Sequence, residues 1–194
     1  MPTTPSLYEW LSHPLLLLVV GAALSSYIVP LLTRRWQNHQ KELELKTNLI
    51  GQISEFVTDF LMVIQFAVIG AKSQSQEDFD TAYREWETAR AKIASYLQAY
   101  FPTTNISREW DHFSELVSDF YALTGIFDEP GRRKHLKKIQ GYALPNKDAI
   151  DWNLLASRSN LKEFLENWDL LRQQILKMRD AVIQSVINAR ITSF

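Results

Sequence analysis

Residues 14–32 read PLLLLVVGAALSSYIVPLL, nineteen consecutive positions without a charge. As a helix rising ~1.5 Å per residue, such a run is about 28 Å long, close to the ~30 Å hydrocarbon core of a bilayer. Ser12 is placed to cap its start, and Pro14 falls in the first turn, where its missing N–H costs little. Tyr8 and Trp10 stand at one edge and Trp36 at the other, as in an aromatic belt. Pro30 leaves the Ser26 carbonyl without a donor, so the spacing predicts a kink near that end.

Charge is distributed on one side of this run only. All 21 Lys and Arg lie at or beyond Arg34, and of the 22 acidic residues only Glu9 precedes it. A cleaved signal peptide needs a basic leading region, which is missing. A buried helix of a soluble protein leaves the asymmetry unexplained. A membrane anchor accounts for both, and Arg34, Arg35 and Lys41 then set the topology, with the N-terminus outside and the body in the cytosol. The expected organisation is a short extracytoplasmic N-terminus over 1–13, a transmembrane helix over 14–32, a helical stalk over 33–48 and a cytosolic bundle over 49–194. Gly21 with Ser25, and Ala22 with Ser26, form a small-residue face of the kind that lets membrane helices approach closely. They are the candidates for self-association, or are simply the small residues common in such spans.

Past the membrane the hydrophobic pattern is helical throughout, and the expected fold class is all-α: an antiparallel four-helix bundle with long first and last helices. The first helix, from about Thr33 to Ile69, carries Ile50, Ile53, Val57, Phe60, Ile64 and Ala67. Ser75 and Asp78 resemble a capping box for a second helix running to Tyr100, which Pro102 ends. Asn105 or Ser107 starts a third, marked by Trp110, Phe113, Val117 and Phe120 and broken by Gly125. A fourth, of about 40 residues from near Asp148, shows coiled-coil spacing through Leu161, Phe164, Trp168, Leu171, Ile175, Met178 and Val182. Short connections make neighbours antiparallel, so the tail VIQSVINARITSF returns toward the bilayer. There it either packs on the stalk or lies on the membrane surface. Ser54–Phe60 matches Ser114–Phe120 (SEFVTDF against SELVSDF), so the body is either a duplicated hairpin or a convergence of similar helix faces.

Chemistry is scarce. The chain has no cysteine, which excludes disulfides and thiolate sites. Glu55 with Asp59, and Glu115 with Asp119, are paired carboxylates four apart, but the apolar register turns them outward onto solvated faces. Glu109 and His112 form one Glu-x-x-His string where a di-metal bundle needs two. No phosphate-loop or nucleophile-elbow string occurs. No cofactor, metal or catalytic residue is therefore expected, and the chain reads as a non-enzyme. With a net charge of −1, nothing argues for nucleic acid.

What remains is the basic run Arg132, Arg133, Lys134, Lys137 and Lys138, in the link 128–147 before the last helix. It reads as a solvated loop or short surface helix, or as a patch for an acidic protein partner. The stated topology puts it far from lipid. The expected role is a membrane-anchored protein-interaction or scaffolding module, with the bilayer, an unidentified protein and a second copy as partners. The alternative is a membrane effector or sensor whose bundle rearrangement acts on the transmembrane helix.

Overall fold

In the computed structural model, residues 14–70, 76–125 and 128–191 are described, and none of them is in a strand. The capping residues Ser12 and Ser75 and the aromatic residues Tyr8 and Trp10 lie outside this set. The chain divides into two units between Leu45 and Lys46.

The first unit is helical. Helix α1 (Pro14–Ala23) passes through a π-turn at Leu24–Ile28 into α2 (Val29–Ile69), which continues into the second unit. The segment beginning at Leu18 is long and apolar enough to cross a membrane. The π-turn answers the problem Pro30 poses. In an α-turn its ring would press on the Ser26 carbonyl and offer it no N–H. The turn before it is wider, with Val29 N–H donating to the Leu24 carbonyl, five residues back. A π-turn therefore lies next to the position where the kink was expected. Ser25 Oγ donates to the Gly21 carbonyl at 2.7 Å and Thr33 Oγ1 to the Val29 carbonyl at 2.8 Å, so both hydroxyls are satisfied within the helix.

The second unit is a helical bundle built from α2 beyond Lys46, α3 (Gln76–Tyr100), α4 (Ile106–Ala122), α5 (Glu129–Gln140), α6 (Trp152–Ser157) and α7 (Leu161–Asn188). The buried stripe of α2 is Leu49, Ile53, Val57, Phe60, Leu61 and Ile64. Leu49 and Leu61 belong to it, whereas the expected Ile50 and Ala67 are only half-buried. Phe60 of α2 meets rings of α3 and α4 while Thr58 bonds to α7, and a helix with several neighbours needs a wider stripe than a single seam.

Cross-helix bonds fix the directions. Between α3 and α4, Tyr121 Oη donates to the Phe79 carbonyl, Trp86 Nε1 to Ser118 Oγ at 3.0 Å and Trp110 Nε1 to the Arg90 carbonyl at 3.1 Å. Residue numbers rise on one helix as they fall on the other, so the pair is antiparallel. Between α2 and α7, Arg179 Nη1 donates to Thr58 Oγ1, and Lys46 Nζ reaches the carbonyls of Ile187 and Ala189. This pair is antiparallel too, and the end of α7 lies beside α2 at Lys46.

Aromatic rings fill the interior. Phe60 stacks on Trp86 with centroids 5.0 Å apart and also meets Tyr121, Trp86 meets Trp110, and Phe120 stacks on Trp168 at 4.4 Å. Burying each such side chain is worth about 1.5–3 kcal/mol.

The last helix corrects an expectation. It begins at Leu161, not near Asp148, and has 28 residues rather than 40. Leu161, read as the first core position, is 68% exposed. The Asp148–Asn160 stretch instead forms a 3-10 turn and the short α6. Asp151 caps α6 by accepting from the N–H groups of Asn153 and Leu154. Arg158, in the left-handed region at φ 50°, ends it. Asn160 then caps α7 by accepting from Lys162 and Glu163 N–H. Two side-chain caps nine residues apart make two helices where the apolar spacing suggested one.

Candidate partner-binding groove

The basic link is a helix. Asp128, extended at the N-cap, accepts from Gly131 N–H at 2.7 Å, and Pro130 sits in the first turn, where no N–H is needed. Lys137 and Lys138 occupy the last turn, where cations complement the helix dipole.

Helical geometry then sends the five cations to three destinations. Arg132, with Leu136 and Ile139, points inward; it is 6% exposed, and its Nε donates to the Ala156 carbonyl at 2.6 Å. This arginine ties α5 to α6 and is no part of an open patch, contrary to expectation. Lys138 turns toward α4 and pairs with Asp119 at 2.7 Å. Arg133, Lys134 and Lys137 stay on the outer face. Arg133 is held by Glu129 at 2.7 Å and by Asn153 Oδ1 at 3.1 Å. Lys134 and Lys137 are exposed.

Between α5 and α6 these three cations rim a cleft of about 470 Å³, whose floor includes Pro130, Leu136, Trp152 and Ala156. That volume lies within the usual range of binding clefts. Trp152 is oriented by its Nε1, which donates to the Lys147 carbonyl at 3.2 Å. The groove is therefore apolar below and basic above. Trp152 was hidden in the sequence because its surroundings read as the first turn of a longer helix. The tryptophan beside the Asp151 cap was the available signal.

Asp119 is a second correction. It is 8% exposed, not on a solvated face. Its Oδ1 takes Lys138, its Oδ2 accepts from the Tyr142 hydroxyl at 2.7 Å, and its backbone carbonyl contacts His135 Nε2 at 2.9 Å. Burial first, then the Asp119 bond, push the Tyr142 hydroxyl well above its ordinary range. The cluster clamps α5 and the chain after it onto α4. The register failed here because α4 meets neighbours on more than one side, so its polar position 119 is covered by α5. Glu55, Asp59 and Glu115 do face solvent, so the two similar heptapeptides occupy different environments.

Glu109 and His112 are exposed, and the His112 ring packs on Tyr142 at 4.8 Å. Among the described residues no group of three His, Asp or Glu is placed to hold a metal. In the first unit Gly21, Ala22, Ser25 and Ser26 are exposed, as are Arg34, Arg35 and Lys41. No protein family, curated protein or solved structure matches the chain.

Proposed function

We propose that this protein is a single-pass membrane protein whose helical bundle serves as a cytosolic protein-interaction module without enzymatic activity. One observation carries the reading. Every residue from Leu18 to Leu32 is exposed, while the bundle closes its core with residues between Leu49 and Val186. Apolar surface in water costs roughly 25 cal/mol per Å², and a bilayer removes that cost. The cations following the span favour a cytosolic bundle. The binding role is supported by the division of labour in α5, where Arg132 and Lys138 serve the fold and the outer cations rim an open groove. The Gly21, Ala22, Ser25 and Ser26 face supports a homo-oligomer within the membrane.

Three measurements test this. The chain stays with membranes after an alkaline carbonate wash, and release into the soluble fraction removes the anchor. On intact cells an impermeant maleimide labels Thr3→Cys and spares Lys162→Cys; the reverse result inverts the topology. Size measurement in detergent reports more than one chain per particle, and a clean monomer removes the oligomer. The sensor reading has its own support, in that α2 is one helix from Val29 to Ile69. Loss of membrane potential on overexpression, abolished by polar substitutions in the span, favours it over a passive module.

A further inference from the structure

We infer that the groove between α5 and α6 docks a short acidic segment of a partner protein, anchored by one apolar side chain. This deepens the interaction reading proposed above and rests on it. The floor supplies apolar surface, chiefly from Pro130 and Trp152 over the buried Leu136 and Ala156, with room for an apolar side chain. The rim supplies Arg133, Lys134 and Lys137. The charge on Arg133 is partly answered by Glu129, whereas neither Lys134 nor Lys137 has an ion pair among the described residues. Two unanswered cations over an apolar floor are complementary to carboxylates flanking a Leu, Phe or Trp.

The groove is also rigidly built, which lowers the ordering cost of binding. Arg132 bonds α5 to the Ala156 carbonyl, Arg133 bonds Asn153, and Trp152 is fixed through Lys147. Single-stranded nucleic acid favours several stacking rings along a basic track, and this groove offers one. Asp151 N–H donates to Asn167 Oδ1, setting the start of α6 beside the first half of α7, whereas Lys46 meets Ala189 after its last turn.

The probe is a pool of short fluorescent acidic peptides with a central Leu, Phe or Trp, titrated by anisotropy against the full chain in lipid nanodiscs. A matched pool with central Ser and a set of phosphatidylserine vesicles run in parallel. The apolar-centred pool binds, the Ser pool binds about tenfold more weakly, and Lys134→Glu with Lys137→Glu weakens binding about tenfold or more. Lys162→Glu, on exposed α7 surface, leaves it unchanged. The milder pair Lys134→Ala and Lys137→Ala gives an intermediate loss and guards against misfolding of the reversal. Equal binding of both pools, insensitivity to the lysine variants, or preference for the vesicles overturns the proposal. So does self-association abolished by the lysine reversal without peptide binding, which assigns the groove to a second copy. These failures leave the chain in the carbonate-washed membrane, whereas failure of the anchor reading releases it.

Discussion

The Tyr142 hydroxyl donates to Asp119 Oδ2 at 2.7 Å, joining the chain that follows α5 to the C-terminal half of α4. The bond is buried, whereas the Lys138 ammonium on the other carboxylate oxygen is 60% exposed and therefore screened. Asp119→Asn should lower stability by about 1–3 kcal/mol, and Tyr142→Phe by about 1.5 kcal/mol. The double variant should lose less than the sum of the two. Urea midpoints of the four proteins measure this, and strict additivity would show that the two groups do not interact.

Alkali should unfold the bundle through its tyrosines. Tyr83, Tyr121 and Tyr142 all have hydroxyls raised above the ordinary value of 10.0, by burial first in each case. The fold favours the protonated phenols. Their contribution is complete below pH 10.0 and is lost as pH climbs through the raised folded values. The urea midpoint should therefore fall above that pH, less steeply in Tyr142→Phe, with tyrosinate absorbance appearing late. On the acid side, the Arg172 hydrogen bond holds the Asp169 carboxyl below 3.8, so its contribution persists above that value and fades below it.

Two glycines in α2 and its terminus should respond with opposite sign. Gly51 is exposed in mid-helix, with nothing within 4 Å of an added Cβ. Gly51→Ala should raise stability by about 0.8–1.0 kcal/mol. Gly70 is equally unobstructed but has φ +69°. Gly70→Ala should cost about 1–2 kcal/mol, from backbone conformation alone. Thermal melts of the pair check both signs.

Tryptophan-to-phenylalanine changes should separate two buried indoles. Trp110 Nε1 donates to the Arg90 carbonyl, while the buried Trp168 Nε1 has no hydrogen-bond partner among the described residues. Trp110→Phe gives up a made bond, and Trp168→Phe removes an unmet donor. The first should be the more destabilising by about 1 kcal/mol. Equal losses would mean that packing volume alone decides.

Lys46 binds the carbonyls of Ile187 and Ala189 at the end of α7, where a cation answers the exposed acceptors and the helix dipole. Lys46→Met should cost about 0.3–1 kcal/mol and speed amide exchange over the last turn of α7, with exchange near Trp168 unchanged. Uniform acceleration would contradict a local cap.

Much of the architecture could be read from spacing. Ile53, Val57, Phe60 and Ile64 are buried as their register implied, as are Trp110, Phe113, Val117 and Phe120. Periodicity fails where local hydrogen bonding competes with it, and Asp151 and Asn160 stop and restart a helix that apolar positions alone would carry through. It also fails where a residue far along the chain covers a face, as α5 does to Asp119. The groove was half legible. Its cations stood out as a run, but only the rotation of α5 decides which of them remain outside, and its tryptophan comes from a helix the register had merged with another.

Each residue of an α-helix advances the azimuth by about 100°. The wider winding at Leu24–Ile28 thus sets Arg34 and Arg35 at an angle to Gly21 that an uninterrupted coil would not give.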